Sequence, residues 1–157
     1  MTLVKSGSGN IARYRADDGL CIWSSITMGN HCSLSVNSRI ISTTRITIGN
    51  RVLIAHNVNI IDNNSHPLDA DLRHQDFLES YTIGMQPHDL NAKPIVIEDD
   101  VWIGYNVSVK KGVTIGEGAI IGSDSVVTHD VPAWTINIGN PLRCIKQLEP
   151  RSTSKQP

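Results

Sequence analysis

Histidines are the side chains of this chain best suited to proton transfer near neutral pH. An imidazole has an unperturbed pKa of about 6.5, so it is largely neutral at pH 7 and can accept a proton. His66 stands before a proline in the loop segment Asn-Ser-His-Pro-Leu-Asp, where a histidine can also be an ordinary surface turn residue. The other histidines compete with it for the role of base, and His56 and His88 are the nearest rivals.

A six-residue repeat predicts the elements that would position these histidines. One β-branched aliphatic residue recurs at every sixth position of the second half: Ile97, Ile103, Val109, Ile115, Ile121 and Val127. A second series follows four residues after each of these: Val101, Val107, Val113, Ala119, Ser125 and Val131. A helix repeats its apolar residues every three or four positions and a strand every two, so a period of six favours short strands separated by turns.

The first half carries the repeat less regularly, from Met28 to Ile40 and, after a shift of two residues, again from Ile48. Regular hairpins are the alternative, but they would recur at about 8–12 residues. We therefore predict an all-β fold, a solenoid of stacked parallel coils with an axial aliphatic core. Glycines after the large aliphatic, and asparagines such as Asn50 and Asn106, are expected to serve the tight turns.

The repeat divides the chain into five expected segments. These are an N-terminal segment (1–21), the first β-helix coils (22–61), an extended loop with His66 (62–94), the C-terminal coils (95–140) and a C-terminal segment with a tail (141–157). Loops longer than about 12–15 residues are usually functional or disordered. We expect this one to project from a corner of the coils, with His66 at its base and Phe77, Tyr81 and Met85 over a neighbouring subunit.

Composition and charge argue against several classes of function. A formal net charge of -1 and a pI of about 6.6 argue against nucleic acid as the main partner. No run of about 18 apolar residues occurs, so no membrane insertion is expected. The cysteines, Cys21, Cys32 and Cys144, have unrelated spacings and no signal peptide ahead of them. They indicate a reducing compartment, so we expect a cytoplasmic protein.

Several motifs follow one another in a characteristic order between Ile48 and Lys146. They are His-Pro in the loop, then VWIG, GVTIG, SVVT-x-DVP and GNP. In this order they resemble the hexapeptide-repeat sugar acetyltransferases, which include the maltose and galactoside O-acetyltransferases and polysaccharide-modifying relatives. The resemblance implies a left-handed parallel β-helix and a homotrimer with active sites between subunits. It also implies acetyl-CoA as cosubstrate, no metal, and a small-molecule or glycan acceptor.

The resemblance also assigns the reacting groups. His66 stands at the position of the family's catalytic histidine and would act as the general base. The backbone N–H in the turn after VWIG, here that of Tyr105, would donate to the developing oxyanion. Trp102 within VWIG would either line the tunnel for the pantetheine arm or pack at a subunit interface.

For acetyl-CoA, the matching positions are Ser123 and Thr128 on successive coils, followed by Arg143 and Lys146 in the C-terminal segment. Cations there can meet the phosphates, and a solvated terminus is the alternative. The family often has lysine after the threonine, where this chain has His129, which puts one cofactor contact in doubt.

On the acceptor side the chain departs from the galactoside enzyme. Ser35 and Thr43 stand where that enzyme has the Asn and Asp that bind its sugar. Neither residue supplies the carboxylate. A simple galactoside or maltose is therefore not the expected acceptor.

Three alternatives to O-acetylation of a sugar stay open. N-acetylation of a nucleotide-linked amino sugar or an antibiotic would use the same base and cofactor groove. A zinc hydratase of the γ-carbonic anhydrase type needs three histidines in zinc-ligand geometry, and none lies between His88 and His129. A non-catalytic β-helical binding or scaffold protein would leave the His-Pro loop and the C-terminal block unexplained.

Overall fold

The computed structural model of the chain describes residues 25–84 and 86–150. The strands, in chain order, are β1 (Ser25–Met28), β2 (Ser33–Leu34), β3 (Arg39–Ile41), β4 (Arg45–Ile48), β5 (Leu53–Ile54), β6 (Asn59–Ile61), β7 (Ile95–Ile97), β8 (Trp102–Ile103), β9 (Ser108–Val109), β10 (Thr114–Ile115), β11 (Ile120–Ile121), β12 (Val126–Val127), β13 (Thr135–Ile138) and β14 (Arg143–Gln147). One helix, α1 (Ala70–Thr82), lies between β6 and β7. The expected N-terminal segment, the tail after residue 150 and Met85 lie outside the described residues.

The strands form three sheets that the chain visits in cyclic order from β1 to β12, after which β13 and β14 both join the second sheet. The first sheet has the order β1-β4-β7-β10, the second β14-β13-β11-β8-β5-β2, and the third β12-β9-β6-β3. All pairings are parallel except the hairpin of β13 and β14. Paired residues of the later coils, such as Trp102 with Ile120, are 18 positions apart. This spacing confirms coils of three six-residue repeats.

The two predicted aliphatic series form the core. Each residue of the main series, from Ile97 to Val127, is completely buried. The second series is also buried, including Ser125, whose hydroxyl accepts a hydrogen bond from Gly139 N at 2.9 Å. Burying one such aliphatic side chain contributes about 1.5–3 kcal/mol. The axial stack is therefore the main source of stability of the coils.

The turns differ from expectation in the residues that adopt left-handed backbone. Asn106 has a φ of 57°, as predicted, but at another corner Arg51 has a φ of 56° in place of Asn50. Asn50 instead joins neighbouring coils, because its side-chain amide donates to Asp99 Oδ2 at 3.2 Å. Gly104 is required by close stacking, since a Cβ there would lie 2.7 Å from Ser123 N.

The two-residue shift of the repeat lies at the corner between β3 and β4. Arg39 and Thr47 are eight positions apart, whereas their equivalents Ser108 and Thr114 are six apart. The two extra residues belong to the turn 42–44. This corner also adjoins the point where residues 62–94 leave the coils.

Residues 62–94 contain a helix, where the break in the repeat predicts only an extended loop. Asp69 caps the start of α1, because its Oδ1 accepts from the backbone N–H groups of Asp71 and Leu72 at 3.0 Å each. Asp76 is the only buried residue of the helix, while Phe77 and Tyr81 are exposed. Within residues 25–84 and 86–150, no helix is long and apolar enough to cross a membrane.

Candidate active site

A buried carboxylate fixes the start of the inserted segment that carries His66. Asp62 is fully buried and accepts hydrogen bonds from Ser42 Oγ at 2.7 Å and from the backbone N–H groups of Thr43 and Thr44 at 2.9 Å each. Burial alone would raise the pKa of Asp62, but these hydrogen bonds outweigh it and hold the pKa below its usual range. The carbonyl of Asp62 also accepts from Lys93 N at 2.8 Å, which ties the end of the segment to its start.

His66 lies four residues beyond this anchor and contacts α1. A further hydrogen bond, from Asn64 N to Leu90 O at 3.0 Å, joins the outgoing and returning parts of the inserted segment just before His66. His66 Nδ1 lies 2.7 Å from Asp76 Oδ2, and the histidine side chain is 59% exposed. A carboxylate can only accept, so Nδ1 carries the proton, and in the neutral imidazole Nε2 is then the acceptor. An imidazole in this state is suited to act as a general base.

His88, a rival of His66 in the sequence, has a different environment. Its side chain is only 13% exposed, and its Nε2 lies 2.7 Å from Glu79 Oε2 and 4.0 Å from Asp76 Oδ1. The hydrogen bond from His88, followed by one from Gln75, lowers the pKa of Glu79. His88 is therefore committed to α1 and is less able than His66 to reach an acceptor.

Tyr105 lies in the turn between β8 and β9. Its ring stacks on that of His56, with centroids 5.2 Å apart and an interplanar angle of 4°. The N–H of Tyr105 forms no hydrogen bond to another described residue, and neither does that of His56. A backbone N–H without a hydrogen-bond partner among the described residues is thus shared by these two stacked positions, and the predicted oxyanion donor is one of them.

Trp102 lies on the outer face of the second sheet and is 51% exposed. The pairing places Ile120, Ile136 and Lys146 beside it in one row across β11, β13 and β14. Strands lie about 4.8 Å apart, so Trp102 and Lys146 are about 14 Å apart along this row. An exposed aromatic group and a cation therefore mark the two ends of one surface strip.

The other predicted cofactor residues lie near exposed surface. Ser123 is half-buried in the turn after β11, and Arg143 begins the exposed strand β14. Thr128 follows β12, and its hydroxyl lies 3.3 Å from Nδ1 of the exposed His129. His129, at the position where the resemblance implies a lysine, is exposed.

Topology divides these residues between two parts of the surface. The first group lies on the second sheet or in the turns that leave it: Trp102, Tyr105, Ser123, Arg143 and Lys146. The second group, His66 and Thr128, follows strands of the third sheet at the corner that leads back to the first. One chain therefore does not bring the predicted base and the predicted oxyanion donor to the same corner.

Thr43, one of the two departures from the galactoside pattern, has a structural partner. Its backbone N–H donates to Asp62 Oδ1 at 2.9 Å, and its hydroxyl lies 3.3 Å from the same oxygen. Ser35 is exposed in the turn after β2, where its backbone N–H donates to Ile54 O at 3.0 Å. A carboxylate is present near position 43 after all, but Asp62 is buried and its oxygens already accept hydrogen bonds.

Sequence reasoning missed Asp62, Asp76 and Glu79. A signal existed for the helix, since Asp69 before a run of helix-forming residues is a typical N-cap. No spacing rule pairs His66 with a carboxylate ten residues later. Among the described residues, no group of three or more His, Cys, Asp or Glu side chains is arranged to hold a metal ion.

Comparison with known sequences identifies the repeat. A family model described as bacterial transferase hexapeptide (six repeats) matches residues 94–129. The galactoside O-acetyltransferase of Escherichia coli is 34% identical over 128 residues, which cover 82% of this chain and 57% of that enzyme. A 2,3,4,5-tetrahydropyridine-2,6-dicarboxylate N-acetyltransferase of Staphylococcus aureus is 46% identical over 67 residues, which cover 42% of this chain and 28% of that enzyme.

Solved structures agree with the sequence comparison. A hexapeptide-repeat acetyltransferase of Vibrio cholerae in complex with acetyl-CoA is 35% identical, with a TM-score of 0.61, and the match covers 80% of this chain and 61% of that one. A second structure of the Vibrio acetyltransferase is 32% identical, with a TM-score of 0.55 and coverage of 79% and 68%.

The sheets, the repeat and the ordered motifs define a hexapeptide-repeat protein, and the family model that matches the repeat describes bacterial transferases. The chain belongs to the hexapeptide-repeat acetyltransferase family. It spans a little over half the length of the curated relatives that match most of it.

Proposed function

We propose that this protein is an acetyl-CoA-dependent acetyltransferase that O-acetylates a sugar or a glycan precursor, with His66 as its general base. The geometry of His66 is the observation that carries the proposal. Asp76 occupies Nδ1 at 2.7 Å, and the exposed side chain leaves Nε2 to face an acceptor. Acetyl-CoA as the donor is supported by its presence in the Vibrio relative.

In this mechanism His66 Nε2 takes the proton of the acceptor hydroxyl as the hydroxyl oxygen attacks the thioester carbonyl carbon. The N–H of Tyr105 donates to the carbonyl oxygen as negative charge develops on it. The C–S bond then breaks, and the His66 imidazolium returns its proton to the leaving sulfur. The products are the acetylated acceptor and CoA, so every atom and proton is accounted for.

The site is proposed to form between chains of a homotrimer with left-handed coils. The support is topological, because His66 and Tyr105 leave different corners of one chain. Apposition of one chain's His66 corner to another chain's second sheet would bring the two groups together, and cyclic symmetry repeats this contact three times.

The cofactor is proposed to lie along the strip between Trp102 and Lys146. Trp102 and the neighbouring isoleucines offer apolar surface to the pantetheine arm, and Lys146 with Arg143 offers charge to the phosphates. Ser123, in the turn after β11, adds a hydroxyl group beside this strip. Thr128 lies five positions later in the same coil and not on a successive one as expected, so its hydroxyl belongs to the corner after the third sheet.

The proposed location of the protein is the cytoplasm. The free thiols of Cys32 and Cys144 are consistent with such a reducing compartment.

An N-acetyltransferase acting on an amino sugar is the second candidate. The similarity to the S. aureus N-acetyltransferase favours transfer to nitrogen but not a sugar in particular, since that match is the higher in identity although it covers less of this chain. The same base would remove a proton from an attacking amine.

A panel of hydroxyl and amino acceptors tests the proposal. Free sugars, nucleotide sugars and their amino analogues would be incubated with acetyl-CoA, and CoA release would be followed with a thiol reagent. We expect release with a hydroxyl acceptor and its loss in His66→Ala. Faster release with amino acceptors would favour the second candidate, and acetyl-CoA binding without any transfer would favour a binding protein.

A further inference from the structure

The cluster of His66, Asp76, Glu79 and His88 joins the base of the inserted segment to its helix. We propose that α1 is a positioning arm for His66, in which Asp76 fixes the tautomer of the imidazole and the His88–Glu79 pair holds Asp76 in place. This inference rests on the proposed function of His66 as a base. Asp76, Glu79 and His88 are positioning residues because they act through His66.

Polar contacts, and not apolar packing, set the position of α1. Its large apolar side chains, such as Phe77 and Tyr81, are exposed, and Asp76 is its only buried residue. A buried carboxylate is costly unless it is hydrogen-bonded. Asp76 meets this need through His66 Nδ1, so the contact that orients the histidine also fixes the helix.

A second histidine–carboxylate pair lies beside the first. Glu79 follows Asp76 by three positions, so the two carboxylates share one face of α1. His88 Nε2 lies 2.7 Å from Glu79 Oε2 and 4.0 Å from Asp76 Oδ1. His88 therefore joins this face of α1 to the part of the segment that leads back to β7. Gln75 Nε2 donates to the other oxygen of Glu79 at 2.7 Å, which limits rotation of that carboxylate.

The consequence for catalysis concerns which nitrogen of His66 carries the proton. A neutral imidazole can hold its proton on either nitrogen, and the partner of one nitrogen decides the state of the other. With Asp76 at Nδ1, the lone pair remains on Nε2. Without it, part of the population would place the proton on Nε2 and could not accept one from the acceptor.

The first test reads this tautomer directly and needs no acceptor. The full chain would be labelled with 15N-histidine, and the His66 ring signals would be assigned by their loss in His66→Ala. We expect a protonated Nδ1 and an unprotonated Nε2. Asp76→Asn should populate both tautomers, since an amide can present its N–H₂ to Nδ1. Asp71→Asn is the matched control, because Asp71 is exposed on the same helix, and it should leave the signals unchanged.

The second test separates positioning from folding. With the acceptor that gives the fastest CoA release, Asp76→Asn should lower kcat by about 10–100-fold, as loss of a partner that orients a functional histidine does. KM for acetyl-CoA should stay within about twofold, and Asp76→Glu should recover part of kcat. His88→Ala should give a smaller loss and a mixed tautomer.

Native His66 protonated on Nε2, or signals unaltered in Asp76→Asn, would overturn the role of Asp76. Unaltered His66 signals in His88→Ala would overturn the role of the His88–Glu79 pair. A changed tautomer with unchanged kcat would overturn the catalytic consequence. If the native protein transfers acetyl to no acceptor, the proposed function fails while the tautomer measurement still decides the contact.

Discussion

Replacement of Asp62 by asparagine tests whether this buried carboxylate stabilises the start of the inserted segment that carries His66. Both oxygens of Asp62 face a backbone donor: Oδ1 accepts from Thr43 N and Oδ2 from Thr44 N, each at 2.9 Å. Asparagine has one oxygen and one N–H₂ group, so either orientation of the amide places a donor against a donor. Leaving one buried donor without an acceptor costs about 1–3 kcal/mol. We expect Asp62→Asn to lower the free energy of unfolding by at least this amount.

Urea unfolding followed by circular dichroism measures the loss, at one fixed protomer concentration because association shifts apparent stability. Asp89→Asn is the matched control, since Asp89 is exposed in the same inserted segment and accepts from Asn91 N at 2.8 Å. It should change the free energy of unfolding by less than about 0.5 kcal/mol. A loss in Asp62→Asn no larger than that of the control would refute this account of Asp62.

The stability difference should also depend on pH. Because the folded-state pKa of Asp62 lies below its ordinary value of 3.8, the ionised group contributes stability that is fully present above that value. This contribution is lost as pH falls through the lower folded-state pKa. The gap between the native protein and Asp62→Asn should therefore be constant near neutral pH and narrow below about pH 4. A gap that widens on acidification would contradict the assigned direction.

Further predictions concern the reacting groups, the cofactor strip and the assembly. His66→Ala should lower turnover by about 10²–10⁴-fold with little change in acetyl-CoA affinity, and retained activity would move the role of base to another histidine. The double change of Arg143 and Lys146 to Ala should raise KM for acetyl-CoA with kcat nearly unchanged, as should added salt, and a loss of kcat at unchanged KM would contradict phosphate binding. Gly104→Ala forces a Cβ to within 2.7 Å of Ser123 N and should cost about 1–3 kcal/mol in urea unfolding. Light scattering at micromolar concentration should give a trimer, and a monomer would contradict the two-chain site.

The core could be predicted because each repeat places one large aliphatic residue at the same position, where it must be buried. Ile97 and Ile103 each place one β-branched side chain on the axis, and their full burial follows from the spacing alone. The corners were less predictable, since the choice of left-handed residue depends on contacts between coils. Arg51, and not Asn50, adopts the left-handed backbone conformation, while the side-chain amide of Asn50 donates a hydrogen bond to Asp99.

The helix could not be predicted from periodicity because it does not pack on the core. An apolar stripe reveals a helix only when one face is buried, and the apolar residues of α1 are exposed. The contact of His66 with Asp76 depends on where α1 lies in space, which no local pattern encodes. The resemblance to known acetyltransferases indicated the histidine but not the carboxylate that orients it.

The two departures from the six-residue period meet at Asp62. One is the pair of extra residues in the turn 42–44, and the other is the inserted segment, across which paired residues such as Leu53 and Trp102 are 49 positions apart. The hydroxyl and N–H groups of the turn 42–44 donate hydrogen bonds to Asp62, the first residue of the inserted segment. A coil of regular length would lack two of the three residues that supply those donors, and the buried charge of Asp62 would then keep fewer partners, such as Asn63 Nδ2 at 3.1 Å. The irregular turn therefore stabilises the start of the inserted segment that carries His66, which agrees with the expectation that departures from local sequence rules occur at functional sites.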